Sequence, residues 1–227
     1  MDQYKKDLLG FLSEHISENR RAKIEQLALE RTRYLSIAVE DIYQPHNASA
    51  VMRSAECFGI QDVHVIENEH KYTPSKEITK GANNWLTMHH YNKSENNTAA
   101  CIEKLKRDGY LVVATTPHEQ HRMIDQLDVT KGKVALFFGT ERDGISDDVR
   151  EQADELVRIP MYGFTESFNI SVSAAICLYQ LTTQLRNSNI KWQLTEEELL
   201  DVRLEWVKNS IKSVELIEDE FRKRRGL

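Results

Sequence analysis

From about residue 35 to residue 187, short apolar runs alternate with helical stretches. This alternation confines the chain to an α/β fold, a parallel sheet flanked by helices. The runs "YLSIAVEDI", "DVHVIE", "WLTMHHY", "YLVVATT", "VALFFG" and "ELVRIP" have the length and the β-branched or aromatic content of strands. Between them, "HNASAVMRSAECFG" reads as a helix that His46 or Asn47 can cap and Gly59 ends, and "NTAACIEKLKRDG" as a helix closed by Gly109. "SDDVREQAD" is a short helix with Ser146 as its N-cap. A further helix begins near Asn169.

The ends of the chain follow another pattern. Residues from about 4 to 32 form one or two helices, with Leu8, Leu9, Phe11, Leu12, Ile16, Ile24 and Leu27 as apolar positions. From about Thr195 to Arg225 the spacing of Leu200, Leu204, Val207, Ile211, Val214 and Phe221 predicts one long helix with an apolar stripe. The stripe needs a partner, either the N-terminal helices or a second subunit. The chain thus divides into an N-terminal helical extension (1–33), an α/β domain (34–188) and a C-terminal helical extension (189–227).

No apolar run is long enough to cross a bilayer, and the charged N-terminus lacks the core of a signal peptide. A cytoplasmic protein is expected. The three cysteines, Cys57, Cys101 and Cys177, are far apart and read as small core residues. A net charge of −6 argues against indiscriminate nucleic-acid binding. Basic residues nevertheless cluster at Arg20, Arg21 and Lys23, at Arg31 and Arg33, and at Arg222, Lys223, Arg224 and Arg225. Taken singly, each cluster is explained better by a solvated helix face or a frayed tail.

In a parallel sheet, ligands lie beyond the carboxyl ends of the strands. That rule selects the loops "TTPHE", "GTERDGIS" and "PMYGFTESFN". In "GTERDGIS", Gly139 ends an apolar strand and permits close backbone approach, while Glu141 and Arg142 sit in a loop closed by Gly144. An ordinary strand-to-helix turn accounts for that loop equally well. Arg53, on an otherwise small and apolar helix, suggests a guanidinium aimed at a phosphate or carboxylate, or one reaching solvent from the sheet surface. The helix after Asn169 opens with Ser171, Ser173, Ala174 and Ala175, where a purely structural helix would carry bulk. Other chemistries lack their motifs. There is no GK[ST] phosphate loop, no GxGxxG and no GxSxG elbow. "HEQH" at His118 to His121 is not HExxH, and His89 and His90 read as strand residues, so no metal is expected.

Three segments together resemble the SpoU (TrmH) family of RNA 2′-O-ribose methyltransferases: "PHNASAVMRSAECFGI", "LFFGTERDGIS" and "IPMYGFTESFNISVSAAICLYQL", in that order. The triple match is far more specific than any one element. The short helical extensions are most similar to the branch that modifies a tRNA guanosine. The resemblance implies a deep trefoil knot in the C-terminal half of the α/β domain, a homodimer with its active site near the subunit interface, S-adenosylmethionine as cofactor and the D-loop guanosine of tRNA as substrate. By position, it implies functional roles for Asn47, Arg53, Glu141, Ser167 and Asn169. It implies cofactor contacts at Thr115, Gly139, Ile159, Met161 and Phe168, largely through backbone groups. Phe168 stands where the family often has Leu, and Gly163 to Glu166 also differ in detail. The basic clusters would then track tRNA phosphates. A ribosomal RNA or another tRNA site is the alternative substrate, and a noncatalytic knotted RNA-binding protein or a nucleotide-binding α/β protein the alternative class.

Overall fold

The computed structural model describes residues 2–73, 75–117, 122–140 and 142–226, Lys76 by its backbone only. In chain order the elements are α1 (Gln3–Ser13), α2 (Glu18–Ala28), β1 (Leu35–Glu40), α3 (Pro45–Cys57), β2 (Asp62–Ile66), α4 (Lys76–Thr79) and β3 (Thr87–Tyr91). There follow α5 (Asn97–Arg107), β4 (Tyr110–Thr115), β5 (Arg122–Met123), β6 (Lys133–Phe138), α6 (Asp147–Gln152) and β7 (Glu155–Arg158). The last three are α7 (Ile170–Arg186), α8 (Glu196–Asn209) and α9 (Val214–Arg224). The chain forms two compact units, Thr32–Trp192 and a helical unit made of Met1–Arg31 with Gln193–Leu227.

In the larger unit the strands form one sheet of order β3-β2-β1-β6-β4-β7-β5. Every pairing among the described strands is parallel. The last two strands do not extend an edge: β6 enters between β1 and β4, and β7 between β4 and β5. The alternation of side chains along a strand divides β6 between two cores. Val134, Leu136 and Phe138 join one cluster with Val51, Met52 and Ala55 of α3 and Ala174, Cys177 and Leu178 of α7. Ala135 and Phe137 join the other, with Ile102 and Leu105 of α5 and Val149 of α6. The result is a sheet between two helical layers. Each fully buried Phe or Leu contributes about 2–3 kcal/mol of transfer free energy, which is why the central strands read as unbroken apolar runs.

Two sequence expectations change in this unit. Neither His46 nor Asn47 caps α3. Its N-cap is Gln44, without a side-chain bond, and Pro45 takes the first helical position, for which its fixed φ is suited. Asn47 is thereby released for another contact. Of the cysteines, Cys101 and Cys177 are buried, and burial pushes both thiols up to about 12. Cys57 is exposed instead, at the end of α3.

In the helical unit, α8 packs on α1 and α2, and α9 packs on α1. The expected single C-terminal helix is two. Ser213 adopts a left-handed φ of 56° between them, a conformation that interrupts a helix. The N-terminal helices supply the partner that the stripe needs: Leu200, Leu204, Val207 and Phe221 are buried, and Phe221 meets the rings of Tyr4 and Phe11.

On β2 and β3, the buried Asp62 and His64 join a polar cluster. Asp62 accepts from Arg33 at 2.9 Å and is paired with His89 at 3.0 Å, His89 stacks on His64, and His64 Nδ1 lies 2.9 Å from the Tyr91 hydroxyl. Burial, then the adjacent His89, pushes His64 down to about 3. The folded chain therefore keeps His64 neutral where the unfolded chain binds a proton. The stability this gives is complete above about pH 6.5 and declines as pH falls below it. Burial pushes Asp62 upward, but its bond to His89 and the Arg33 charge outweigh that and hold it below its usual value. Its contribution is also lost on acidification, at lower pH. Melting curves between about pH 7 and pH 5 are expected to show a falling Tm, with a shallower slope in His64→Gln. Equal slopes would contradict this.

Candidate active site

Four elements of the larger unit converge on a cleft of about 400 Å³, a size suited to a cofactor. Its floor is the carboxyl ends of β4 and β6, with Thr115, Thr116, Phe138 and Gly139 on its wall. Gln44 and Asn47 enter from the start of α3. Ile159, Met161, Ser167, Phe168 and Asn169 enter from the segment joining β7 to α7, and Ser173 from the first turn of α7.

The loop after β6 is a pinched ring. Thr140 and Gly144 exchange backbone hydrogen bonds of 2.8 and 3.2 Å, and the Thr140 hydroxyl accepts from the Asp143 amide at 2.9 Å. Gly144 has a φ of +73°. Gly139 lies so close beneath the ring that a Cβ there would stand 1.9 Å from the Gly144 carbonyl oxygen. Only glycine fits, and backbone lines the cleft where a side chain would otherwise fill it.

The start of α7 explains its small residues. Asn169 is the N-cap: its Oδ1 accepts from the Ser171 amide at 2.8 Å and from the Ser171 hydroxyl at 2.6 Å. Its Nδ2 donates to Asn47 Oδ1 at 3.1 Å. One side chain thus starts the helix and ties it to α3 across the cleft. Further along, α3 and α7 pack against each other, and the core they share includes the small buried residues Ala48, Ala55 and Ala174. Asn169→Asp keeps the capping oxygen and loses the donor to Asn47. It is expected to melt within a few degrees of the parent, while the activity of the site falls about tenfold or more. A melting loss as large as that of Asn169→Ala would show that the cap, and not the Asn47 contact, is what matters.

The structure brings eight of the ten cofactor and catalytic candidates to one cleft: Asn47, Thr115, Gly139, Ile159, Met161, Ser167, Phe168 and Asn169. Arg53 is exposed on α3, does not line the cleft, and makes no hydrogen bond or ion pair with a described residue. Glu141 lies outside the described residues, as do His118, Glu119, Gln120 and His121. Among the described residues, no group of three or more His, Cys, Asp or Glu is arranged to hold a metal. The sequence reading did not single out Gln44 or Arg150, and it noted Arg142 and Ser173 without assigning either a contact; all four line the cleft. The signal for Arg142 was present, a cation beside Glu141 in a loop already selected by strand topology.

The basic candidates separate. Arg31 is corrected: it is 3% exposed, with its guanidinium 5.2 Å from the Trp206 ring centroid, so it is not presented to a phosphate. Arg33 is engaged with Asp62. Arg20, Arg21 and Lys23 are exposed on α2. At the C-terminus Arg222, Lys223, Arg224 and Arg225 are exposed, though Arg222 pairs with Asp219, Arg224 with Glu220 and Arg225 with Asp7. Within the described residues, no helix is long and apolar enough to cross a membrane.

A family model described as the SpoU rRNA Methylase family matches residues 34–179, which contain every cleft residue. The tRNA (guanosine(18)-2'-O)-methyltransferase of Borreliella burgdorferi is 41% identical over 211 residues, 93% of this chain and 94% of that protein. The enzyme of the same name from Thermus thermophilus is 30% identical over 168 residues, 74% of this chain and 84% of that protein. The crystal structure of the A. aeolicus TrmH/SpoU tRNA modifying enzyme superposes with a TM-score of 0.76 at 26% identity, covering 86% of this chain and 98% of that one. The fold, the cleft and these likenesses converge: the chain belongs to the SpoU methylase family.

Proposed function

We propose that this protein is a tRNA (guanosine-2′-O-)-methyltransferase that uses S-adenosylmethionine and acts on the D-loop guanosine 18 named for its relatives. The observation that carries this reading is the cleft at the carboxyl ends of β4 and β6, closed by the Asn47–Asn169 contact, in a chain similar to such enzymes along nearly its whole length. Transfer of label from S-adenosylmethionine to unmodified tRNA tests it.

The cleft fits the cofactor. Backbone at Gly139 and Gly144 offers polar groups without side-chain bulk, and Ile159, Met161 and Phe168 offer an apolar wall for an adenine. When bound, S-adenosylmethionine supplies an electrophilic methyl carbon to the ribose 2′-oxygen. This chain's residues position the acceptor and manage its proton. Asn47 and Asn169 hold the two helix starts at a fixed separation, and Ser167 offers a hydroxyl at the cleft mouth. Arg53 binds the phosphate next to the target ribose. A guanidinium keeps its proton at neutral pH, so its part is orientation and charge, with the phosphate available to take the 2′-OH proton. Glu141 orients Arg53 or anchors the loop before α7.

A homodimer belongs to this reading. Val172 and Tyr179 lie two turns apart on α7, both exposed, and with the exposed Phe168 just before the helix they give this region an apolar outer surface. Arg53, exposed and outside the cleft of its own chain, fits a site completed by a second copy. The insertion of β6 and β7 between earlier strands supports a trefoil-knotted chain path. A cytoplasmic location belongs to this reading, as the compartment where a tRNA substrate is met.

Exposed basic residues on α2 and α9 follow the tRNA backbone. Neutralising Arg222, Lys223, Arg224 and Arg225 together is expected to weaken tRNA binding and to flatten the dependence of log K on log salt by about one unit or more. Unchanged affinity and slope would remove α9 from the RNA surface.

A further inference from the structure

Glu40 ends β1 with 3% exposure, and all three of its observed hydrogen-bond partners are uncharged donors. Its Oε1 accepts from the Thr98 hydroxyl at 2.6 Å and the Ser146 hydroxyl at 2.8 Å, and its Oε2 accepts from the Ser146 amide at 3.1 Å. Both hydroxyl protons are committed to it. Thr98 Oγ1 accepts from Asn68 Nδ2 at 2.9 Å, and Ser146 Oγ accepts from the Val149 amide at 3.3 Å. Glu40 thus links the first turn of α5 to the N-cap of α6.

The consequence lies one residue away. Ser146 closes the loop whose Gly144 and Ile145 line the cleft, and Gly144 is locked to Thr140 above Gly139. The ring has no slack on the Gly139 side, so its place is set by where Ser146 is held. We propose that Glu40 is a positioning residue for the cofactor. By fixing Ser146 from behind, it sets the position of the Thr140–Gly144 ring that the cofactor meets. This rests on the reading of the cleft as the S-adenosylmethionine site.

The test measures binding and loop motion without turnover. In Glu40→Ala the S-adenosylmethionine Kd by calorimetry is expected to rise about tenfold. Amide exchange at Gly144 to Ser146 in the cofactor-free protein should quicken by a similar factor, while exchange in α9 stays unchanged. Glu40→Gln keeps an oxygen for the Ser146 amide and is expected to recover most of both. If Glu40→Ala does not fold, Thr98→Val removes a single anchor well behind the cleft and is expected to raise Kd about threefold. A folded Glu40→Ala, or failing that Thr98→Val, with parental Kd and parental exchange at Ser146 overturns the inference. A parent protein that does not bind S-adenosylmethionine overturns the reading of the cleft itself, a distinct outcome seen before any variant is made.

Discussion

Replacing Arg53 with alanine is expected to lower kcat/KM for tRNA methylation by about a hundredfold or more, near 3 kcal/mol of transition-state stabilisation. The melting temperature should stay within a few degrees, because Arg53 is exposed and makes no hydrogen bond or ion pair with a described residue. Such a cation contributes little to the fold of the single chain and is available to a substrate. Cofactor affinity should also hold, since Arg53 does not line the cleft. Arg53→Lys keeps the charge and loses the planar fork that matches a phosphate, and should recover only part of the activity. An Arg53→Ala protein with near-parental turnover would remove Arg53 from the reaction.

Gly139→Ala is expected to abolish cofactor binding while leaving the sheet assembled. The added methyl would meet the Gly144 carbonyl oxygen at 1.9 Å, the Gly144 carbonyl carbon at 2.1 Å and the Ile145 nitrogen at 2.3 Å. All three are backbone atoms, so no rotamer relieves the clash. The ring must move, at a cost of about 2–3 kcal/mol in stability. The same movement displaces Gly144 and Ile145, which line the cleft. Calorimetry and a thermal melt check both parts. Gly144→Ala contrasts with it. Nothing lies within 4 Å of a Cβ there, and the penalty is the strain of a φ of +73°. Parental affinity in Gly139→Ala would show that the ring does not contact the cofactor.

The layered fold was legible because its signal is local. An unbroken apolar strand such as "VALFF" is buried on both faces, and the helices α3 and α5 are stopped by glycines of left-handed φ, Gly59 and Gly109. The order of strands was not legible, since nothing in the composition of β6 says that it inserts between β1 and β4. The break before α9 was missed because the apolar spacing continues through it, while Ser213 turns the backbone. The cleft loops followed from the rule about carboxyl ends of strands, and the roles within them from the resemblance. Glu40 was overlooked because one acidic residue at a strand end looks like the start of a polar loop. Its burial depends on Thr98 and Ser146, distant in sequence and brought to it by the fold. Arg31 looked like a phosphate contact for the opposite reason, since only the packing of Trp206 shows that it is covered.

The account turns on one reaction. Purified protein incubated with methyl-labelled S-adenosylmethionine and unmodified tRNA transcript, followed by nucleoside mapping, is expected to place label in a single 2′-O-methylguanosine of the D-loop. Label found in ribosomal RNA or at another tRNA position, and absent from that guanosine, would contradict the assigned substrate. No label in any RNA from protein that binds the cofactor would contradict the assigned reaction.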